Sequence, residues 1–224
     1  LARIPDTLRA ALPPARVMDE MPDRTVVSLN GTVFDTQGGE PALAKEQASA
    51  ANDPYFLVQF YAPVKEEWKA ALEALGVTFL GYHPSYTYIV RMDPALQEKV
   101  RAAHAVQWVG RYHPAYRLAP DAELANAVRD GRGCIALEVR GFEDVDSAAL
   151  QAALAGAGAE VLLAEAAGPP VIRVWAAPEL APALAALPGV YRVEPYDQPV
   201  PVNEVGVQVA HTWDAWKAGR NGLL

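Results

Sequence analysis

The chain has 224 residues, 51% of them hydrophobic, with 27 Asp and Glu against 19 Lys and Arg, for a net charge of −8. That acidity excludes the Lys/Arg stripe needed to neutralise nucleic-acid phosphates, and it argues against an anionic membrane surface. Cys134 is the only cysteine, which excludes a disulfide framework and a thiolate metal centre, and no apolar run reaches the ~18 residues of a spanning helix.

In chain order, residues 1–53 form an irregular N-terminal leader. Asp6–Ala11 suits one helical turn, which Pro13-Pro14 stops. Thr25–Phe34 predicts a strand pair around Asn30-Gly31, a dipeptide that accepts the positive φ values of a tight hairpin. Gln37–Pro41 and Ser49–Pro54 are turn-rich, and the plainest expectation for the leader is loose packing.

Residues 54–118 predict a first βαββαβ unit. Tyr55–Tyr61 is an apolar strand, and Pro63–Leu75 carries Trp68, Ala71, Leu72 and Leu75 on one helical stripe. Gly76 ends that helix. Val77–Tyr82 and Tyr86–Met92 follow as strands around His83-Pro84-Ser85. Asp93-Pro94 starts a helix with Leu96, Val100 and Ala103 inward, and Val106–Tyr112 closes the unit. Residues 119–132 form a linker, with a short helix at Asp121–Val128 and a flexible Asp130–Gly133.

The same order returns in residues 133–197. Ile135–Arg140 is a strand, Asp146–Gly158 a helix with Leu150, Ala153, Leu154 and Ala157 inward, and Ala159–Ala164 and Val171–Trp175 are strands. A helix opened by Pro178, with Leu180, Leu184 and Leu187, leads into Val190–Tyr196. Gly76 corresponds to Gly158, Arg91 to Arg173, Val106 to Val190 and Tyr112 to Tyr196. The predicted fold is α+β, with two tandem ferredoxin-like (βαββαβ) domains. Units of about 70 residues have small cores and gain from packing on a partner. Residues 198–224 then give an extended, proline-bearing tail and a helical Val207–Gly219 with Trp213 and Trp216 on one side.

Catalytic groups are sparse. His83, His104, His113 and His211 lie scattered, without the i, i+4 spacing of a zinc pair. Glu143, Asp144 and Asp146 precede a helix, where carboxylates suit the dipole, and lack the alternation of an EF-hand loop. Gly156 and Gly158 fit a helix C-cap rather than a phosphate loop. Tyr86 and Tyr88 share a strand face, yet the basic surround of an RNA-binding sheet is missing. No metal, no cofactor and no catalytic residue is expected within this stretch.

The sheet faces say more. Tyr55 and Leu57 oppose Phe56, Val58 and Phe60, while Ile89 opposes Tyr86, Tyr88 and Val90, so the first sheet is apolar on both faces and needs a second cover. In the second sheet Ile135, Leu137 and Val139 oppose Ala136, Glu138 and Arg140, which predicts a polar outer face.

Val190-Tyr191-Arg192-Val193-Glu194-Pro195-Tyr196-Asp197 resembles the last strand of subtilisin-like propeptides. Asn203-Glu204-Val205-Gly206 and Val209–Gly219 look like the opening of a subtilisin-like catalytic domain. Tyr55–Leu118 resembles the propeptide-like repeats of some bacterial members, with Val-Gln-Phe, Glu-Glu-Trp and the Trp-Val-Gly-Arg-Tyr-His-Pro ending. The resemblance, over roughly Phe34 to Leu224, implies the propeptide region of a secreted bacterial subtilisin-like (S8 family) serine peptidase with tandem inhibitor-I9-like repeats. It implies an intramolecular chaperone and inhibitor whose partner is the protease domain, in cis beyond Leu224. The triad would lie beyond Leu224 too, and His211 lacks the glycine-rich surroundings of the triad histidine. Tyr196, Asp197, Gln198, Pro199, Val200, Pro201, Val202, Asn203 and Glu204 would enter the protease cleft as an added strand. Pro199 and Pro201 cannot donate to that ladder, which leaves the processing site open. Glu194 and Asp197 would sit at partner helix N-termini. A free-standing protease inhibitor or a ferredoxin-like ligand- or protein-binding module is the alternative.

Overall fold

The structure, a computed structural model, describes residues 25–165 and 168–196. The turn expected at Asp6–Ala11, the tail from Asp197 to Glu204 and the segment Val207–Gly219 lie outside the described residues.

The fold mixes α and β, with short helices packed on antiparallel sheets. A hairpin comes first, β1 (Val26–Leu29) and β2 (Thr32–Asp35). Its turn is Asn30-Gly31, with φ of 44° and 85°, and Leu29 faces Thr32 across it. Two positive φ values in a two-residue loop match the right-handed twist of the flanking strands, and Asn and Gly tolerate them best.

The first four-stranded sheet is built from β3 (Tyr55–Phe60), β4 (Thr78–His83), β5 (Thr87–Arg91) and β6 (Val106–Arg111), in the order β4-β5-β3-β6. Helices α1 (Glu66–Glu73) and α2 (Gln97–Arg101) serve its inner face. Glu66 and Glu67 occupy the first turn of α1, where carboxylates suit the positive end of the dipole, and Gly76 leaves the helix at φ 98°. Phe56, Val58, Phe60, Trp68, Leu72, Val90 and Val100 make the core. Ala71, expected on the inward stripe, is exposed, because α1 is short and turns only Trp68 and Leu72 fully inward. Tyr86, expected within a strand, sits in the turn at φ 57°, while still packing against the core.

The second sheet comprises β7 (Ile135–Gly141), β8 (Glu160–Ala164), β9 (Val171–Ala176) and β10 (Val190–Pro195), in the order β10-β7-β9-β8. Between the sheets run α3 (Pro114–Arg117) and α4 (Asp121–Ala125). The stretch Asp130–Gly133, expected to be flexible, is a tight turn: the Asp130 carboxylate accepts from the backbone N–H groups of Arg132 and Cys134, both at 2.9 Å. Helix α5 (Ser147–Gly156) is capped by Asp146, whose carboxylate accepts from Ala149 N at 2.8 Å, and α6 (Ala181–Ala185) is the last helix among the described residues. Leu137, Val139, Leu150, Leu154, Ile172, Val174, Leu184 and Val193 fill this core.

The strand registers revise one expected equivalence. Arg91 pairs with Thr78, two residues after Gly76, whereas Trp175 pairs with Glu160, two residues after Gly158. Arg91 therefore corresponds to Trp175 rather than to Arg173, because the turn joining β8 to β9 is longer than that joining β4 to β5. In this alignment, the pair Leu57–Ile89 of the first sheet becomes Glu138–Arg173 in the second.

The leader from residue 25 onward is packed, against the expectation of a loose segment. Val27, Leu29 and Phe34 from the hairpin join Tyr55, Leu57 and Ile89 from the outer face of the first sheet. Tyr112, Tyr116 and, from the second half, Phe142 complete this third cluster. The second cover required by a sheet apolar on both faces thus comes from within the chain. Further on, Glu40 accepts from Arg111 N at 2.8 Å on β6, and the Arg111 guanidinium donates to the carbonyls of Ala50, Ala51 and Asp53.

Candidate functional site

The outer face of the second sheet differs from that of the first because alternation along its strands places charges there. Glu138 and Arg140 on β7, Arg173 on β9, and Arg192 and Glu194 on β10 project from the same side. Glu138 lies at the centre, 8% exposed, with Arg140 Nη2 at 2.8 Å and Arg173 Nε at 3.3 Å. Arg173 also reaches Glu165 at 3.1 Å, and Arg140 reaches Glu194 at 3.2 Å. Arg192 Nε stands 2.7 Å from Glu194, an ion pair without a well-aligned hydrogen bond. Three guanidinium groups and three carboxylates thus alternate over the face.

The lattice is accessible: the Arg140 side chain is 48% exposed, and Leu163 beside Arg173 is 49% exposed. The rim pairs, Arg140 with Glu194 and Arg173 with Glu165, lie where solvent screens them and contribute little to stability, typically below about 1 kcal/mol, whereas Glu138 beneath them is buried and depends on its two arginines. Alternating charges let a partner exchange pair for pair without leaving an orphan charge.

Tyr196, expected at the start of the inhibitory tail, extends β10. Its N–H donates to Ala136 O at 3.0 Å, and the Arg173 guanidinium lies 4.4 Å from its ring centroid. Glu194, expected to cap a partner helix, is held by Arg140 and Arg192. The chain therefore leaves the sheet beside the charged face, along an edge strand. The other edge of β10 is partly covered, since Leu118 bridges to Val193 and Ala119 N donates to Val193 O at 2.9 Å.

At one end of the face a cleft of about 400 Å³ opens between the two halves. Leu80, Gly81 and Ile89 form the wall from the first sheet, and Arg140, Phe142, Val171 and Tyr191 the wall from the second. Its geometry is fixed by contacts across the halves. The rings of Tyr55 and Phe142 stack at 3.8 Å, Tyr112 Oη donates to Tyr191 O at 3.1 Å, and Arg91 pairs with Asp144 at 2.6 Å. Burial pushes the Tyr55 hydroxyl up to about 12, and the nearby Asp144 carboxylate adds to the effect. Burial also drives the Tyr112 hydroxyl above its ordinary range, which keeps it the neutral donor to Tyr191 O.

The acid–base groups elsewhere are structural. His113 Nδ1 accepts from Ser49 N at 2.9 Å, so the imidazole carries its proton on Nε2 and donates to Glu40 at 2.9 Å. Partial burial opposes the charge on Glu40, but the His113 and Arg111 hydrogen bonds outweigh it and hold the carboxyl below its usual range. Burial lowers the affinity of His83 for a proton, although its Nε2–H donates to Ser28 O at 2.7 Å. Among the described residues no group of three or more His, Cys, Asp or Glu side chains is placed to hold a metal ion. Sequence reasoning found the Glu138/Arg140 alternation but missed Phe142 and Tyr191, whose role arises only when the halves meet.

The family described as Domain of unknown function (DUF8729) matches residues 28–113. The matched stretch starts within β1 and ends two residues after β6, so it takes in the first sheet and most of the hairpin but not Val27, Tyr116 or Phe142 of its cover. Comparison with curated proteins and with solved structures gives no match.

Proposed function

We propose that this chain is the propeptide region of a secreted subtilisin-like serine endopeptidase precursor, acting as intramolecular chaperone and inhibitor of the protease domain. In this reading residues 54–118 and 133–197 are tandem ferredoxin-like units. In support, each sheet places its own strands in the order fourth, first, third, second, with a helix after the first and after the third.

The observation that carries the function is the asymmetry of the outer faces. The first is sealed by the hairpin, Tyr116 and Phe142, whereas the second keeps an exposed charge lattice at the point where the chain runs on toward its tail. A rigid four-stranded face can template a domain that folds slowly, since long-range strand pairing carries a large loop-closure cost. Once that domain is folded, the same contact holds Asp197–Glu204 near its substrate cleft as an added strand, and inhibition follows.

The test is inhibition of a subtilisin-type endopeptidase by the intact chain. The intact chain should inhibit, the charge reversals Arg173→Glu and Glu138→Arg should each weaken inhibition at least tenfold, about 1.4 kcal/mol or more, and a chain ending after Asp197 should inhibit less. Equal inhibition by all forms would show that neither the face nor the tail contacts the protease.

A further inference from the structure

We infer that the cleft between the halves is a docking site in cis for the Trp213–Lys217 segment of this same chain. This contact needs no protease domain; where one follows, the same Val209–Gly219 segment would open that domain, so docking here and the function proposed above compete for it.

The cleft is preformed, apolar and close to the chain's exit. Leu80, Ile89, Phe142 and Tyr191 give it an aromatic and aliphatic lining, and about 400 Å³ falls within the range of side-chain and ligand pockets. Its charges are unevenly satisfied. Arg140 is engaged by Glu138 and Glu194, and Asp144 by Arg91, whereas Glu143 is exposed and makes no ion pair among the described residues. An occupant that fits is therefore a large aromatic side chain with a cation next to it.

The chain beyond Tyr196 carries that chemistry. Trp213 and Trp216 are three residues apart, a spacing that would put both indoles on one side if the segment is helical, and Lys217 directly follows Trp216. Reach is not limiting. From Tyr196 back to Tyr191 along β10 is about 17 Å, and the 17 residues from Tyr196 to Trp213 can span up to about 60 Å. With an effective concentration on the order of 1 mM, a contact of about 0.1 mM dissociation constant gives a docked-to-free ratio of about 10.

Gly81 supplies the plug. It lines the cleft, a Cβ there meets nothing within 4 Å, and its φ is not in the left-handed region, so Gly81→Phe fills the space without straining the strand. The experiment uses the full chain labelled with 5-fluorotryptophan, with each fluorine signal assigned by single Trp→Phe variants. The Trp213 or Trp216 signal should stand away from the free-indole position. Gly81→Phe should cut the docked-to-free ratio about tenfold, and Glu143→Lys about two- to fivefold, while the Trp68 and Trp108 signals stay put. Both indoles at the free position in the unmodified chain would overturn the assignment, as would a shifted signal indifferent to Gly81→Phe. A shift that vanishes on dilution would place the indole in a second copy and overturn the cis contact as well.

Discussion

Asp53→Asn should be among the most damaging single changes in this molecule, although it alters only one atom type. Arg117 is 0% exposed, and Asp53 Oδ2 lies 2.6 Å from its Nη2. The guanidinium also donates to Tyr112 O through Nε and Nη2, at 3.1 and 2.7 Å, and faces the rings of Tyr55 and Tyr112. Its Nη1 has no hydrogen-bond partner among the described residues, so little remains to compensate the charge once the carboxylate is gone. Removing one partner of a buried pair costs about 3–5 kcal/mol, because the other charge stays desolvated. At about 2–4 °C per kcal/mol for a chain of this size, the melting temperature should fall by about 6–20 °C. Asn keeps an oxygen to accept from Tyr55 N, so the start of β3 is preserved and the loss reads the charge alone. Urea and thermal unfolding followed by circular dichroism measure it. Adding Arg117→Met, which removes the stranded charge but keeps an apolar stem, should restore about 1–4 kcal/mol. A single variant within about 0.5 kcal/mol of the parent would refute the argument, as would a double variant equal to the sum of the singles.

Other outcomes follow from the same geometry. The folded state favours neutral His83, so stability should begin to fall as pH drops through its ordinary 6.5, and His83→Gln should remove that step. Glu40 is held below 4.5, so its contribution is fully present above that value and is lost as pH falls through the lower folded value; Glu40→Gln should flatten this limb of the stability–pH curve. Gly189 has φ 80°, and a Cβ there would approach Val145 Cγ2 at 2.7 Å, so Gly189→Ala should destabilise by about 1–3 kcal/mol in urea unfolding. The double change Glu138→Leu/Arg173→Ile gives the second sheet the outer pair of the first with no hairpin to cover it; sedimentation should show self-association, and a monomer would refute the open-face assignment. On the propeptide reading proposed above, and not from the geometry, the encoding frame past Leu224 should reveal, within about two dozen residues, an apolar strand closing on aspartate, since strands and loops of that kind are short; a stop codon there would favour a free-standing inhibitor.

Much of this was legible because it is local. Asn30-Gly31 announced its hairpin, and Gly76 and Gly158 announced helix ends that the structure puts at φ 98° and 96°. The alternation of Tyr55 and Leu57 with Phe56 and Val58 correctly said that two covers were needed. It could not say what the second cover was, because Val27, Phe34 and Phe142 approach that face from far along the chain in both directions. Arg117 illustrates the same limit: nothing near it in sequence distinguishes it from a solvated arginine, and its burial depends on Asp53 and the carbonyl of Tyr112. The wrong match of Arg91 with Arg173 came from fixed spacing, which a change in turn length defeats, whereas hydrogen-bond register does not.

The two sheets share a strand order and differ in what their outer faces are asked to do. Where the first has Leu57 beside Ile89, burial of both is driven by the hairpin, Tyr116 and Phe142, and the face is closed except where Leu80 and Ile89 border the cleft. Where the second has Glu138 beside Arg173, an apolar cover would strand charges at several kcal/mol each, so the lattice disfavours one. Closure of one face and preservation of the other are therefore linked. Tyr55, Phe142, Tyr112 and Tyr191 lock the sealed half against the open one, so the second sheet is braced along its end, and the partner proposed above would meet that platform rather than a unit of about 70 residues standing alone.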